Sequence, residues 1–196
     1  MAHRILLNDR EYHIGLSNLP CLITYKEKSG GSQLSISLVA DMFLRGEKIL
    51  FITAYPPGKD NFFELIKGKE EKAEYITDAS KLNSDARAIV LESGNKELLL
   101  SALNTTALIN KRTVFVKNIE FFGEEAQEKC LGLSKIILSG NLDECANKDA
   151  IARRQYKTII AFSQPITPLP FTVPSLERFV GYLKECDKGG LIKIEM

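Results

Sequence analysis

A short polar segment between an apolar run and a helical pattern holds the residues best suited to contact a phosphate. Lys26 and Lys28 lead into a segment rich in serine and glycine. The N–H groups at the start of a helix attract anions, and glycine lets the backbone turn tightly into that helix. The expected loop residues are Lys28, Ser29, Gly30, Gly31 and Ser32. Two alternatives stay open: the glycines serve only the turn, and Lys28 is a solvated lysine.

Other candidates for catalysis are few. Glu120 follows the apolar run Thr113–Val116 and has the chemistry of a general base, but no metal or phosphate anchor accompanies it, so we expect a surface acid. His3 and His13 lie in the N-terminal segment, away from acid-rich motifs, and no Ser-His-Asp or Cys-His arrangement can be built on them. We therefore assign no catalytic residue.

Cysteine usage gives no metal motif. Cys21, Cys130, Cys145 and Cys186 are widely spaced without a C-x-x-C pair, and the chain has only two histidines, so zinc-ligand spacing is missing. We expect reduced thiols, mostly on buried faces. No apolar run reaches the length of a membrane span, and charged residues interrupt the N-terminal apolar positions. The expected compartment is the cytoplasm.

The overall charge favours no charged partner. The formal net charge is +1, which gives no global attraction to nucleic acid or to an anionic membrane, although a local basic patch is compatible with it. Tryptophan is absent and aromatic residues are few, which leaves little material for stacking on single-stranded nucleic acid.

Apolar, β-rich runs alternate with helical patterns along the chain, and this alternation must position the loop. Strands are predicted at Cys21–Tyr25, Ile49–Thr53, Arg87–Leu91, Thr113–Val116 and Lys157–Phe162. Helices are predicted at Ser32–Leu44, Asp60–Ile66, around Leu98–Leu103, from Ala126 to Ile137 and at Asp143–Gln155. Phe179–Lys184 and Leu191–Glu195 flank turn residues, as in a β-hairpin. The pattern predicts one α/β domain over residues 1–196, a mainly parallel sheet with helices on both faces.

A proline-rich loop, Ser163–Pro174, is the most unusual stretch. It combines four prolines with Ile166, Leu169, Phe171 and Val173. Such a loop is either a rigid connector that packs on its own domain or a docking surface for a neighbouring subunit, because a stiff apolar loop loses little entropy on binding. The sequence leaves both open.

The stretch Leu19–Ala54 resembles the first βαβ unit of the RecA superfamily of P-loop ATPases, and most closely the branch of the clock ATPase KaiC and the RecA-like subunits of the Elongator accessory ring. Ser32-Gln-Leu34 matches the start of the family's helix, and Arg45-Gly-Glu-Lys48 matches the turn before its second strand. The resemblance implies a RecA-like fold and a glycine-rich loop that wraps phosphates.

The sequence departs from the family at its functional positions. The first glycine of the loop falls on Tyr25 and the phosphate-binding lysine on Gly31, while Gly30 and the hydroxyl of Ser32 are kept. Lys117 falls where the family has its Walker-B aspartate. The segment Thr53-Ala-Tyr55, after the second strand, has no acid, while Ser163-Gln164 is similar to the family's polar sensor.

Phosphoryl transfer needs the lysine, the metal and a water-orienting group. The resemblance therefore implies a pseudo-ATPase, a non-catalytic subunit that scaffolds or regulates a homo- or hetero-oligomer with protein partners. No cofactor is expected. The first alternative is a nucleotide-binding protein or weak NTPase that holds ATP or GTP through Lys26 or Lys28 with Ser32. The second is a nucleic-acid adaptor with basic residues Arg112, Lys117, Arg153 and Arg154.

Overall fold

The computed structural model describes residues 5–7, 10–12, 14–55, 61–92, 94–173, 180–185 and 192–195. Its strands are β1 (Ile5–Leu7), β2 (Arg10–Tyr12), β3 (Cys21–Thr24), β4 (Ile49–Thr53), β5 (Ala73–Tyr75), β6 (Ala88–Glu92), β7 (Thr113–Lys117), β8 (Ile136–Gly140), β9 (Thr158–Ala161), β10 (Val180–Glu185) and β11 (Ile192–Glu195). Its helices are α1 (Gly31–Leu44), α2 (Phe62–Leu65), α3 (Lys96–Asn104), α4 (Thr106–Lys111), α5 (Glu124–Leu131) and α6 (Lys148–Arg153).

Nine of these strands form one sheet in the order β11-β10-β9-β3-β8-β7-β4-β6-β5. The strands from β9 to β5 are parallel, whereas β10 pairs antiparallel with both β9 and β11. Strands β1 and β2 form a separate antiparallel pair. The predicted α/β sheet and the C-terminal hairpin are confirmed.

Side chains alternate between two hydrophobic cores, one on each face of the sheet. On β4, Leu50 and Ile52 belong to the core covered by α3, α5 and α6. Ile49 and Phe51 belong to the opposite core, covered by α1 and α2. Because both faces are covered, the central strands are apolar throughout, as is typical of parallel sheets. The parallel strands therefore end together at one edge, where the loop before α1 lies.

The predicted helix from Ala126 to Ile137 was wrong in its second half. Helix α5 ends at Leu131, Gly132 follows as its C-cap, and Ile136–Gly140 forms the fully buried strand β8 between β3 and β7. The apolar residues happen to fit a helical stripe, but glycine ended the helix, and the following β-branched pair Ile136-Ile137 suits a buried strand.

Other boundaries also moved. The predicted helix Asp143–Gln155 is a 3-10 turn at Leu142–Glu144 followed by the short α6. Strand β5 and helix α4 were not predicted. Most of the predicted turn Tyr55–Gly58, the hairpin turn Asp187–Gly190, both histidines and Cys186 lie outside the described residues.

Candidate functional site

The loop between β3 and α1 is a tight turn held by hydrogen bonds to backbone carbonyls of β8 and of the loop itself. The N–H of Tyr25 donates to the carbonyl of Gly140 at 3.1 Å. The N–H and Oγ of Ser29 donate to the carbonyl of Lys26 at 3.3 and 2.7 Å. Gly30 then adopts φ +98°, and α1 begins at the next residue. This left-handed backbone favours glycine whether or not a ligand binds.

The ring of Tyr25 occupies the space beside Gly31. Tyr25 is 4% exposed. A Cβ atom on Gly31 would lie 2.5 Å from Cγ and 2.6 Å from Cδ1 of Tyr25, far inside the usual carbon–carbon contact distance of about 3.5–4.0 Å. Gly31, where the family resemblance implies a lysine, is therefore held side-chain-free by the neighbouring tyrosine.

Lys117, at the end of β7, stands where the family resemblance implies an aspartate. Lys117 is 4% exposed, and its Nζ lies 5.4 Å from the centroid of the Tyr55 ring. The Tyr55 ring also meets the Phe121 ring edge to face, with 6.2 Å between centroids. A cation over an aromatic face is attracted by the ring's electron density. An ammonium group and two aromatic rings thus occupy this end of the sheet.

Glu120 is partly buried in this site, and the expectation of a surface acid was wrong. Its Oε2 accepts from the N–H of Asn141 at 3.1 Å, and its Oε1 accepts from Nδ2 of Asn118 at 3.2 Å. Burial raises the pKa of Glu120, although these two hydrogen bonds act to lower it. Gly140 makes room for the carboxylate, because a Cβ there would lie 3.1 Å from Cδ of Glu120 and 3.0 Å from the nitrogen of Ile119.

A cleft of about 420 Å³ opens between the loop and these groups. Its walls are built by the loop, by the first turn of α1 and by the segments after β4, β7 and β8. The lining residues are Tyr25, Lys26, Glu27, Lys28, Gly30, Ser32, Gln33, Tyr55, Asn118, Glu120, Phe121, Asn141 and Glu144.

Of the predicted loop residues, Lys28, Gly30 and Ser32 line the cleft, while Ser29 and Gly31 do not. Lys26 also reaches Asp143, with 3.9 Å between Nζ and Oδ2. Lys26, Lys28 and Ser32 therefore line one cleft, and a ligand for these residues stays a prediction.

Asn141 is the polar residue that follows β8, the strand next to β3, and it lines the cleft. The predicted sensor, Ser163-Gln164, has another role: Oε1 of Gln164 accepts from the N–H of Val173 at 2.7 Å and so ties down the proline-rich loop. Asn141 was missed because β8 was taken for a helix. An apolar run that ends in Gly140-Asn141 is the signal that could have indicated a strand leading into the site.

The proline-rich loop packs mainly on its own domain. Val173 is buried, and Leu169 and Phe171 contact the core on the α3 face. Oδ1 of Asp143 accepts from the N–H groups of Ile166 and Thr167 at 2.8 and 3.1 Å. Only Ile166 of the four apolar residues is strongly exposed, which favours the connector interpretation.

The four basic residues proposed for an adaptor do not form one exposed patch. Arg112 is 5% exposed and donates to the carbonyls of Ser84 and Arg87 at 2.9 and 3.0 Å. Lys117 is buried, and Arg154 donates to backbone carbonyls at the end of α5 and beyond it. Only Arg153 is exposed. Arg112 and Arg154 instead satisfy backbone carbonyl oxygens of their own domain.

The described cysteines are buried. Cys21, Cys130 and Cys145 lie in the interior as reduced thiols, as the sequence predicts for most of the cysteines. Burial raises the pKa of the Cys130 and Cys145 thiols to about 12, which disfavours the thiolate. Within the described ranges no group of His, Cys, Asp and Glu side chains could hold a metal ion. No helix there has both the length and the apolar character to cross a membrane.

Known structures with a similar fold are P-loop ATPases. The genome packaging NTPase B204 from Sulfolobus turreted icosahedral virus 2, in complex with AMPPCP, matches with a TM-score of 0.62 at 10% identity, over 93% of this chain and 99% of that one. EssC (ATPases 2 and 3) from Geobacillus thermodenitrificans matches with a TM-score of 0.62 at 16% identity, over 100% of this chain and 40% of that one. The fold is that of the RecA-like P-loop ATPases. No family model matches the sequence, and a comparison with curated proteins gives no match.

Proposed function

We propose that this chain is a pseudo-ATPase, a RecA-like subunit that does not hydrolyse nucleoside triphosphates and instead scaffolds or regulates a homo- or hetero-oligomer. The observation that carries the proposal is the packing of the Tyr25 ring against Gly31. The Tyr25 side chain occupies the space that a side chain at position 31 would need, so the phosphate-binding lysine that the resemblance implies has no room there.

The electrostatics of the cleft point the same way. Phosphoryl transfer relies on positive groups at the phosphates, a carboxylate-held Mg²⁺ and a residue that orients the nucleophile. At the end of β7 the buried Lys117 would repel Mg²⁺. The nearby carboxylate of Glu120 already accepts two hydrogen bonds, from Asn118 and Asn141, which occupy both of its oxygens.

A second candidate function is nucleotide binding without efficient hydrolysis. The cleft volume of about 420 Å³ favours it, since this is within the range of small-molecule sites. Lys26 and Lys28 would contact the phosphates of ATP or GTP, with Ser32 and the first turn of α1 behind them.

Three finer assignments belong to the same proposal. Placement in the KaiC and Elongator branch rests on Leu19–Ala54, whose Arg45–Lys48 turn does connect α1 to β4. A cytoplasmic compartment is consistent with the buried, reduced thiols of Cys130 and Cys145. The partners we propose are protein subunits, either further copies of this chain or related RecA-like chains.

The test combines a thermal-shift titration with a phosphate-release assay, using ATP, ADP and GTP with and without Mg²⁺. Three variants are compared with the wild type: Lys28→Ala in the cleft, Lys96→Ala as a matched exposed lysine at the start of α3, and Glu120→Gln. A ligand that binds the folded state raises the melting temperature in proportion to the logarithm of its concentration above the dissociation constant.

We expect no phosphate release from the wild type above that of Glu120→Gln, and no nucleotide-dependent shift. Phosphate release that Glu120→Gln abolishes would refute the pseudo-ATPase. A shift that Lys28→Ala removes and Lys96→Ala keeps, without phosphate release, would establish the second candidate.

A further inference from the structure

Basic residues precede the parallel strands at the edge opposite the cleft. Lys48 comes directly before β4, Arg87 before β6, Arg112 before β7, Lys135 before β8 and Lys157 before β9. Backbone hydrogen bonds of 2.9 Å place them side by side: the N–H of Ile49 donates to the carbonyl of Arg87, that of Thr113 to Lys48, and that of Val114 to Lys135. The formal net charge of +1 conceals this segregation of charge.

Five cations of this edge are exposed, and the Nζ of Lys135 also donates to the carbonyl of Asn110 at 3.1 Å. We call the following set the basic edge: Lys48, Lys111, Lys135, Arg153 and Lys157, all of them exposed. Arg112 and Arg154 lie beneath them and donate to backbone carbonyls, which fixes the loops that carry the exposed residues. The basic edge is therefore built on ordered strand ends.

The row is long enough for a polymer. From β9 to β4 the sheet order is β9-β3-β8-β7-β4, four steps of about 4.8 Å, or about 19 Å in all. Along a duplex, about five nucleotides of one strand cover that distance at about 3.4 Å each. The acids close to the row are engaged locally: Glu47 lies 3.3 Å from Arg45, and Asp85 interacts with Arg112.

We propose that the basic edge binds the phosphate backbone of duplex nucleic acid. Lysine is depleted in protein–protein interfaces, yet lysine dominates this row, which favours a phosphate polymer over a second protein surface. Single-strand sites use exposed aromatic rings for stacking, whereas Tyr156, the aromatic residue beside Lys157, is 4% exposed. Backbone contacts of this kind position a duplex without reading its sequence.

The site does not depend on the cleft, which lies at the other ends of the same strands. The test measures fluorescence anisotropy of a labelled duplex DNA of about 20 base pairs, titrated with the full chain at several salt concentrations. A basic-edge variant (Lys111→Glu, Lys135→Glu, Lys157→Glu) is compared with a control variant (Lys67→Glu, Lys96→Glu, Lys148→Glu). The control residues are exposed lysines outside both the basic edge and the cleft, and both variants change the net charge equally.

If five cations each neutralise one phosphate, the logarithm of affinity falls with the logarithm of salt with a slope of about −4.5. Affinity should then fall about 500-fold between 50 and 200 mM salt. The basic-edge variant should lose binding at every salt concentration, while the control variant should keep the wild-type slope.

Three results would overturn the proposal. The first is no binding of the wild type at low salt, and the second is equal loss in both variants. The third is tighter binding of a single strand of the same length than of the duplex. A change of sedimentation coefficient in the basic-edge variant, with no DNA binding by the wild type, would instead identify the edge as a contact between protein subunits. Circular dichroism melting of both variants controls for folding.

Discussion

Replacing Gly31 with alanine is the most direct perturbation of the filled loop. The added Cβ would lie 2.5 Å from Cγ and 2.6 Å from Cδ1 of Tyr25, an overlap of about 1 Å against normal carbon contacts. Neither side yields easily, because Gly31 starts α1 and the Tyr25 ring is enclosed. Overpacking of this kind costs about 1–3 kcal/mol.

Alanine also has a better helix propensity than glycine, by up to about 1 kcal/mol within a helix, which offsets part of that cost. We expect Gly31→Ala to lower the free energy of unfolding by about 2 kcal/mol. For a domain of this size, that corresponds to a fall in melting temperature of about 4–8 °C. Gly132→Ala is the matched control: its backbone is right-handed helical, and its Cβ would meet only the carbonyl of Lys129 at an ordinary 3.5 Å.

A double-mutant cycle assigns the cost to the tyrosine. In the background of Tyr25→Gly, which removes the ring and its Cβ, Gly31→Ala should cost nothing or stabilise slightly, giving a coupling energy of about 2 kcal/mol. Chemical denaturation of the four proteins provides the free energies. An equal cost of Gly31→Ala in both backgrounds, or a cost no larger than that of Gly132→Ala, would refute the packing argument.

Three further substitutions test the elements around the cleft. Because burial raises the pKa of Glu120 above 4.5, the folded protein binds this proton more tightly than the unfolded chain, and wild-type stability falls as pH rises from about 4.5 through the raised pKa. Glu120→Gln lacks this proton, so its free energy of unfolding minus that of the wild type should increase over this pH window in urea titrations. A difference that stays constant with pH would contradict the prediction. Gly140→Ala should destabilise by about 1–3 kcal/mol in the same assay, since its Cβ would press on the carboxyl of Glu120 and on the nitrogen of Ile119. Arg112→Met should cost about 1–3 kcal/mol, because it leaves the carbonyl of Ser84 without this donor, while the carbonyl of Arg87 still accepts from the N–H of Ile49. A loss below about 1 kcal/mol would show that water replaces the guanidinium.

The sequence predicted those parts of the fold whose signals are local and consistent. Ile49–Thr53 was placed to the residue, and α1 to within one residue, because the apolar periodicity, Arg45 at the C-cap and Gly46 after it agree. Strand β8 was lost because its apolar residues extend the stripe of α5 at helical spacing. Only the pairing of Ile136–Gly140 with β3 and β7 makes it a strand, and that pairing is not local information.

The site residues also fall into those indicated by local spacing and those that depend on strand pairing. The sequence indicated Lys28, Gly30 and Ser32 by their spacing, and all three line the cleft, whereas the contribution of Asn118 and Asn141 and the burial of Glu120 depend on which strands lie next to β3. The burial of the basic residues was also beyond the sequence. Arg112 and Lys135 each come directly before a strand, yet Arg112 is 5% exposed and Lys135 is exposed, which depends on packing between distant segments.

Tyr25 and Gly31, two positions at which the sequence departs from the RecA-like motif, are in direct contact, so neither can be changed independently of the other. A lysine at position 31 cannot be accommodated while Tyr25 keeps its ring, because the space that its Cβ needs is taken. At the end of β7 the ammonium of Lys117 lies over the Tyr55 ring, and the Tyr55 ring in turn contacts the Phe121 ring. Replacing Gly31 with lysine alone should therefore destabilise the fold, and a lysine side chain at this position would also require a small residue at position 25.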